Sequence, residues 1–157
     1  MNAKFIIALL SLACTLILPV TAKDDAPSGY LPLAKIEEAK TKAAGKKLIV
    51  LMVKGMDDAC PNCAAAVDNG ESALGSGVVK LFARAETIGK ADATGFSPAL
   101  QERIKLQFVT GAAVTFLVFN PDMTTLITEA SRKELQSDKK AIAAFKKEVQ
   151  EAKKALK

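Results

Sequence analysis

Leu48-Ile49-Val50-Leu51-Met52-Val53-Lys54-Gly55-Met56-Asp57-Asp58-Ala59-Cys60-Pro61-Asn62-Cys63-Ala64-Ala65-Ala66-Val67 joins an unbroken apolar run to two cysteines and then to small helix-forming residues. Leu48 to Val53 has no polar alternation and is rich in branched aliphatic side chains, the pattern of a central strand covered on both faces. Ala64 to Val67 favours helix. Pro61 suits the first turn of such a helix, because its φ is already fixed and its missing N–H would have no partner there. The cysteines thus fall between a buried strand and a helix start, where free backbone N–H groups and the helix dipole favour a thiolate. Cys60 gains most from this. Asn62 is neutral and supplies no cation.

On the N-terminal side, Leu33, Ile36, Ala39, Lys40, Ala43 and Ala44 recur at helical spacing, and Gly45 with Lys46 and Lys47 makes a helix ending. On the C-terminal side, Asn69-Gly70 and Gly75-Ser76-Gly77 are expected to break the helix before a segment from Val78 to Ile88, strand from Leu81 or Phe82 onward. Ser97-Pro98 starts a further predicted helix, along which Leu100, Ile104 and Phe108 repeat every four residues. Ala113 to Phe119 reads as a second apolar strand, Asn120-Pro121-Asp122 as a turn and Thr125 to Glu129 as a returning hairpin strand. Ile142, Phe145, Val149, Ala152 and Leu156 form one stripe on a long amphipathic helix. Helices alternating with strands in this order predict an α/β sandwich with a small mixed sheet.

Residues 1–22 differ in kind: Lys4, an apolar run from Phe5 to Val20, then Val20-Thr21-Ala22 before charged Lys23-Asp24-Asp25. This is the layout of a secretory signal peptide cleaved after Ala22, and the run is shorter than the roughly 20 apolar residues of a membrane span. Lipoprotein processing at Cys14 is the rival reading, against which stand Ser11-Leu12-Ala13 and the apolar residues that continue past Cys14. The chain is accordingly expected in the periplasm or secreted, with no stable membrane span after cleavage. Residues 23–32, with Pro27, Ser28, Gly29 and Pro32, are expected to be a mobile leader, and residues 33–157 the domain.

Half of the 157 residues are hydrophobic and a quarter charged, which fits one soluble domain. Cleavage removes one cation and Cys14, so the net charge falls by one from +5. The lysines alternate with glutamates along Lys35–Lys47 and Lys133–Lys154, and the chain has no Trp and one Tyr; this argues against a nucleic-acid surface.

Two thiols spaced as Cys60-Pro61-Asn62-Cys63 suit thiol–disulfide exchange, in which the N-terminal sulfur attacks a disulfide and the second resolves the mixed disulfide. A structural disulfide is a competing reading, although so short a loop stabilises little. Half a zinc site is another, but the chain has no His and the mature part no further Cys. An inert pair on a binding protein is the third.

Ile36-Glu37-Glu38-Ala39-Lys40, Gly45-Lys46-Lys47, Leu48 to Val53, the Cys60–Cys63 motif and Val114-Thr115-Phe116-Leu117-Val118-Phe119-Asn120-Pro121-Asp122 together resemble thioredoxin, and more closely the bacterial exported thioredoxin-like proteins. The resemblance covers about residues 33–157. It implies a three-layer thioredoxin-like sandwich, Cys60 as nucleophile, Cys63 as buried resolving thiol, and a Cys60–Cys63 disulfide in the oxidised form. It also implies cysteine-containing client proteins, a redox partner that resets the pair, and no cofactor or metal. By the same resemblance Val114-Thr115 is the substrate loop. The family places a Pro with a cis bond where this chain has Val114, a Trp where it has Ala59, and a buried acid within the strand that here reads Leu48 to Val53. A non-catalytic thioredoxin-fold scaffold with an inert disulfide is therefore the alternative. Asp57 and Asp58 are candidate proton acceptors, and Lys54 a candidate cation for Cys60.

Overall fold

The computed structural model describes residues 26–55, 60–88, 101 and 114–156. The signal peptide read at 1–22, its cleavage site, Asp57, Asp58, Ala59 and nearly all of the helix predicted after Ser97-Pro98 lie outside the described residues. The described elements are β1 (Leu31–Pro32), a 3-10 turn (Leu33–Lys35), α1 (Ile36–Ala43), β2 (Leu48–Lys54), α2 (Pro61–Leu74), β3 (Val78–Arg84) and α3 (Ala85–Ile88). After them come β4 (Val114–Phe119), β5 (Leu126–Ser131), α4 (Arg132–Leu135) and α5 (Lys139–Ala155).

The strands form one five-stranded sheet in the order β1-β3-β2-β4-β5. β3 runs parallel to β1 and β2, while β4 is antiparallel to β2 and β5 antiparallel to β4. A parallel step needs a crossover, which α2 supplies between β2 and β3. The fold is an α/β arrangement of a mixed sheet with helices, as the element order implied.

β2 and β4 are buried along almost their whole length because both faces of the sheet are covered. Ile49, Leu51, Val53, Leu81, Leu117 and Phe119 point into one apolar cluster beneath α1. Leu48, Val50, Met52, Phe82, Val114, Phe116 and Val118 point into the other, beneath α2 and α5. Strand alternation divides a uniformly apolar run between two cores. Each fully buried Leu, Ile or Phe contributes roughly 1.5–3 kcal/mol, so these strands dominate the stability of the domain. On α5, Phe145 and Val149 are buried, with Ile142, Ala152 and Leu156 packed at the margin, as the stripe predicted.

Three expectations change. Asn69-Gly70 does not break α2, which continues to Leu74. The glycine is there for space, since a Cβ on Gly70 would lie 2.3 Å from Cε2 of Phe116, and the Phe116 side chain is itself fully buried. The third strand starts at Val78 and ends at Arg84, and Ala85–Ile88 is helical. Gly75-Ser76-Gly77 does end the helix, with Gly75 as its C-cap, and pairing with every residue of β2 from Leu48 to Lys54 extends the strand back to Val78. Finally, the segment expected as a leader at 23–32 is fixed at its C-terminal end, where Leu31 and Pro32 pair with Leu81 and Phe82. Tyr30 is buried there, its hydroxyl donating to Glu71 Oε1 at 2.8 Å and its ring edge-on to Phe82.

Candidate functional site

α2 begins at the cysteines for local reasons. Cys60 has an extended backbone (φ −74°, ψ 110°) and is the N-cap, followed by Pro61 at a position that needs no N–H. The Cys60 carbonyl accepts from Ala64 N–H at 3.2 Å and Cys63 N–H at 3.0 Å. The Cys60 Sγ also accepts from Cys63 N–H, at 3.3 Å, taking the place that a Ser or Asp oxygen fills at most helix starts. Cys60 is half-buried, Pro61 and Asn62 are exposed, and Cys63 is 1% exposed. One cysteine is therefore partly exposed at the positive end of a fourteen-residue helix and the other lies in the core.

Neither cysteine is in a disulfide, so the bond expected between Cys60 and Cys63 is not formed in this structure. The Cys63 thiol is pushed above its ordinary range, first by burial, then by its hydrogen bond to Cys60 and the charge on that sulfur. Arg132 pulls in the opposite direction and is outweighed.

Arg132 is the residue that sequence reading missed. Its Nη1 lies 3.9 Å from Cys60 Sγ across 72 positions of sequence. Bonding to Cys60 holds the guanidinium above its already high range. α4, which carries it, is fixed by a capping box: Glu134 Oε2 accepts from the Ser131 backbone N–H and hydroxyl, each at 2.8 Å. Leu135 at its other end is fully buried, and its carbonyl accepts from Asn69 Nδ2 of α2 at 2.7 Å. Ser131-Arg132-Lys133-Glu134 carries the S-x-x-E signature of a helix start, which announced the helix but not what Arg132 faces.

Val114 and Thr115, read as the substrate loop, begin β4 opposite Lys54 and Val53. Val114 is fully buried in the apolar cluster that holds Cys63, with Cys60 packed at its edge, and Thr115 is 3% exposed. Val114 thus offers its side chain to the core and not to solvent. Lys54 ends β2 half-buried, and Arg132 is seated against Cys60 Sγ.

No cluster of three or more acidic or cysteine side chains spaced to hold a metal occurs among the described residues. No described helix is long and apolar enough to cross a membrane. Comparison with protein-family models, curated proteins and solved structures finds no match.

Proposed function

We propose that this chain is an exported thiol–disulfide oxidoreductase of thioredoxin-like fold, acting on cysteine-containing proteins of the periplasm or exterior through Cys60 and Cys63. The sheet order β1-β3-β2-β4-β5 with a single parallel-to-antiparallel change supports the fold reading. The observation that carries the activity is the asymmetry of the two sulfurs: Cys60 half-exposed at the N-cap of α2, Cys63 buried behind it.

An anion on Cys60 Sγ is favoured by the Cys63 N–H, the helix dipole and the Arg132 guanidinium, and a thiolate is the attacking species. Burial keeps Cys63 protonated, so Cys60 attacks first. Its thiolate forms one S–S bond to a client sulfur and expels the other client sulfur as a thiolate. Cys63 then loses its proton and attacks Cys60 Sγ, forming the Cys60–Cys63 bond and releasing the second client sulfur. In this direction two electrons pass to the client without a cofactor, and the same steps run in reverse oxidise a client dithiol. A redox partner returns the pair to its starting state.

The test is exchange with oxidised glutathione and with a disulfide-bonded protein, followed by mass spectrometry. Wild type is expected to exchange, Cys60→Ser to lose exchange while keeping its fold, and Cys63→Ser to accumulate mixed disulfides through Cys60. Absence of any exchange in folded wild type would sink the reading. It would leave the second one, a non-catalytic scaffold with an inert pair, which the buried Val114 in place of the family's Pro favours.

A further inference from the structure

Arg132 reaches Cys60 Sγ from an element that has no other evident reason to place a cation there. α4 is only four residues long, yet it is held by the Ser131–Glu134 capping box, by buried Leu135 and by the Asn69–Leu135 hydrogen bond to the helix that Cys60 caps. A guanidinium so anchored loses little on pairing with an anion, and it is less strongly hydrated than an ammonium. Among the described residues, further charged and titratable groups lie on the elements around this corner. Cys63 is neutral in the core, and Glu134 is tied to Ser131. Lys133 is exposed. Lys54 and Arg84 end β2 and β3 side by side, and Arg84 donates to the Gly55 carbonyl at 3.2 Å.

We propose that Arg132 is a positioning residue that stabilises Cys60 as a thiolate and so poises the Cys60–Cys63 pair toward its dithiol form, making the oxidised chain a donor of disulfides to proteins that carry reduced cysteine pairs. The proposal rests on the oxidoreductase reading and adds its direction. In that direction a client thiolate attacks Cys60 of the disulfide, which breaks the Cys60–Cys63 bond, and Cys63 leaves and takes up a proton. The client's second thiolate then attacks the client sulfur of the mixed disulfide. One client disulfide forms, two electrons reach the pair, and Cys60 leaves as a thiolate facing Arg132. A leaving thiol that ionises readily departs faster, and a stabilised reduced form makes the disulfide the stronger oxidant.

Two measurements decide this on wild type, Arg132→Met, Arg132→Gln and Arg132→Lys, each checked for fold by circular dichroism. The first is the rate of Cys60 alkylation by iodoacetamide against pH, read by mass spectrometry. The second is the disulfide-to-dithiol ratio in glutathione buffers of fixed composition. In Arg132→Met and Arg132→Gln the alkylation midpoint is expected to rise, lowering the thiolate fraction below the midpoint about 3- to 10-fold. In glutathione buffers at a pH above both midpoints, the disulfide-to-dithiol ratio should rise by about the same factor. Arg132→Lys should restore most of both. A merely structural Arg132 would alter stability without moving either quantity. Unchanged midpoints, an unchanged or lower ratio, or a Lys variant that behaves like Met would each overturn the proposal. Should wild type fail to equilibrate with glutathione, the oxidoreductase reading falls and this one with it; the alkylation profile still reports whether Arg132 acts on Cys60.

Discussion

Cys60 and Cys63 are three residues apart in sequence but occupy opposite electrostatic settings. Cys60 takes its surroundings from a helix start and a guanidinium, Cys63 from an apolar core in which it is 1% exposed. Iodoacetamide at neutral pH is therefore expected to modify Cys60 in the native protein and to leave Cys63 untouched until denaturant is added, as peptide mapping would register. Equal labelling of both sulfurs in the folded chain would contradict the arrangement. At this scale the sequence was informative wherever the signal was local: Pro61 after a candidate N-cap is a contiguous pattern, and Cys60 stands where it places it. Arg132 was not legible, because its role comes from a tertiary approach of α4 to α2 that no spacing in the chain encodes. The burial of Val114 was not legible either, since it depends on which sides of β4 the surrounding helices cover.

Among the elements, the strands were read from their apolar runs with small errors at the ends, while α2 was cut short at Asn69-Gly70. The misreading has a packing cause. A glycine within a helix signals a break when helix propensity decides, but here the missing side chain admits the Phe116 ring. Gly70→Ala gains about 1 kcal/mol of helix propensity but forces a methyl group against a buried ring, an overpacking that costs typically 1–3 kcal/mol or more. The variant is expected to be less stable by about 1–2 kcal/mol in urea unfolding, and Gly70→Ala with Phe116→Leu to recover part of the loss. An alanine variant as stable as wild type would place the reason for Gly70 elsewhere. α5 was legible from its stripe. α4 was too short to show any periodicity, and its capping box was the sole mark of it.

For the whole molecule, the segment from Ala26 to Pro32 closes the sheet edge beside β3, where the sequence suggested a free leader. Seven residues with two prolines and a glycine carry little periodic signal, and a single aromatic, Tyr30, makes the attachment. Its phenol is raised well above its usual range by burial, then by the Glu71 hydrogen bond and charge. The folded state thus holds the proton more tightly than the unfolded chain, in which the group ionises near pH ~10. The associated stability is complete below that value and is lost as pH rises above it, by up to about 1.4 kcal/mol per pH unit. Tyr30→Phe should cost roughly 1–2 kcal/mol at pH 7, with the gap to wild type narrowing between pH 10 and 11 in urea titrations. A constant gap would mean that the phenol proton is not held by the fold. At the far end of α2, Lys153 of the last helix donates to the carbonyls of Leu74 and Ser76, at 2.5 and 2.6 Å. The sulfur-bearing helix is thereby fastened at one end by residue 132 and at the other by residue 153, both of which leave the ribosome long after residue 60. During synthesis the two thiols travel on an unsecured segment, and the setting that makes them unequal is complete only when the tail of the chain arrives.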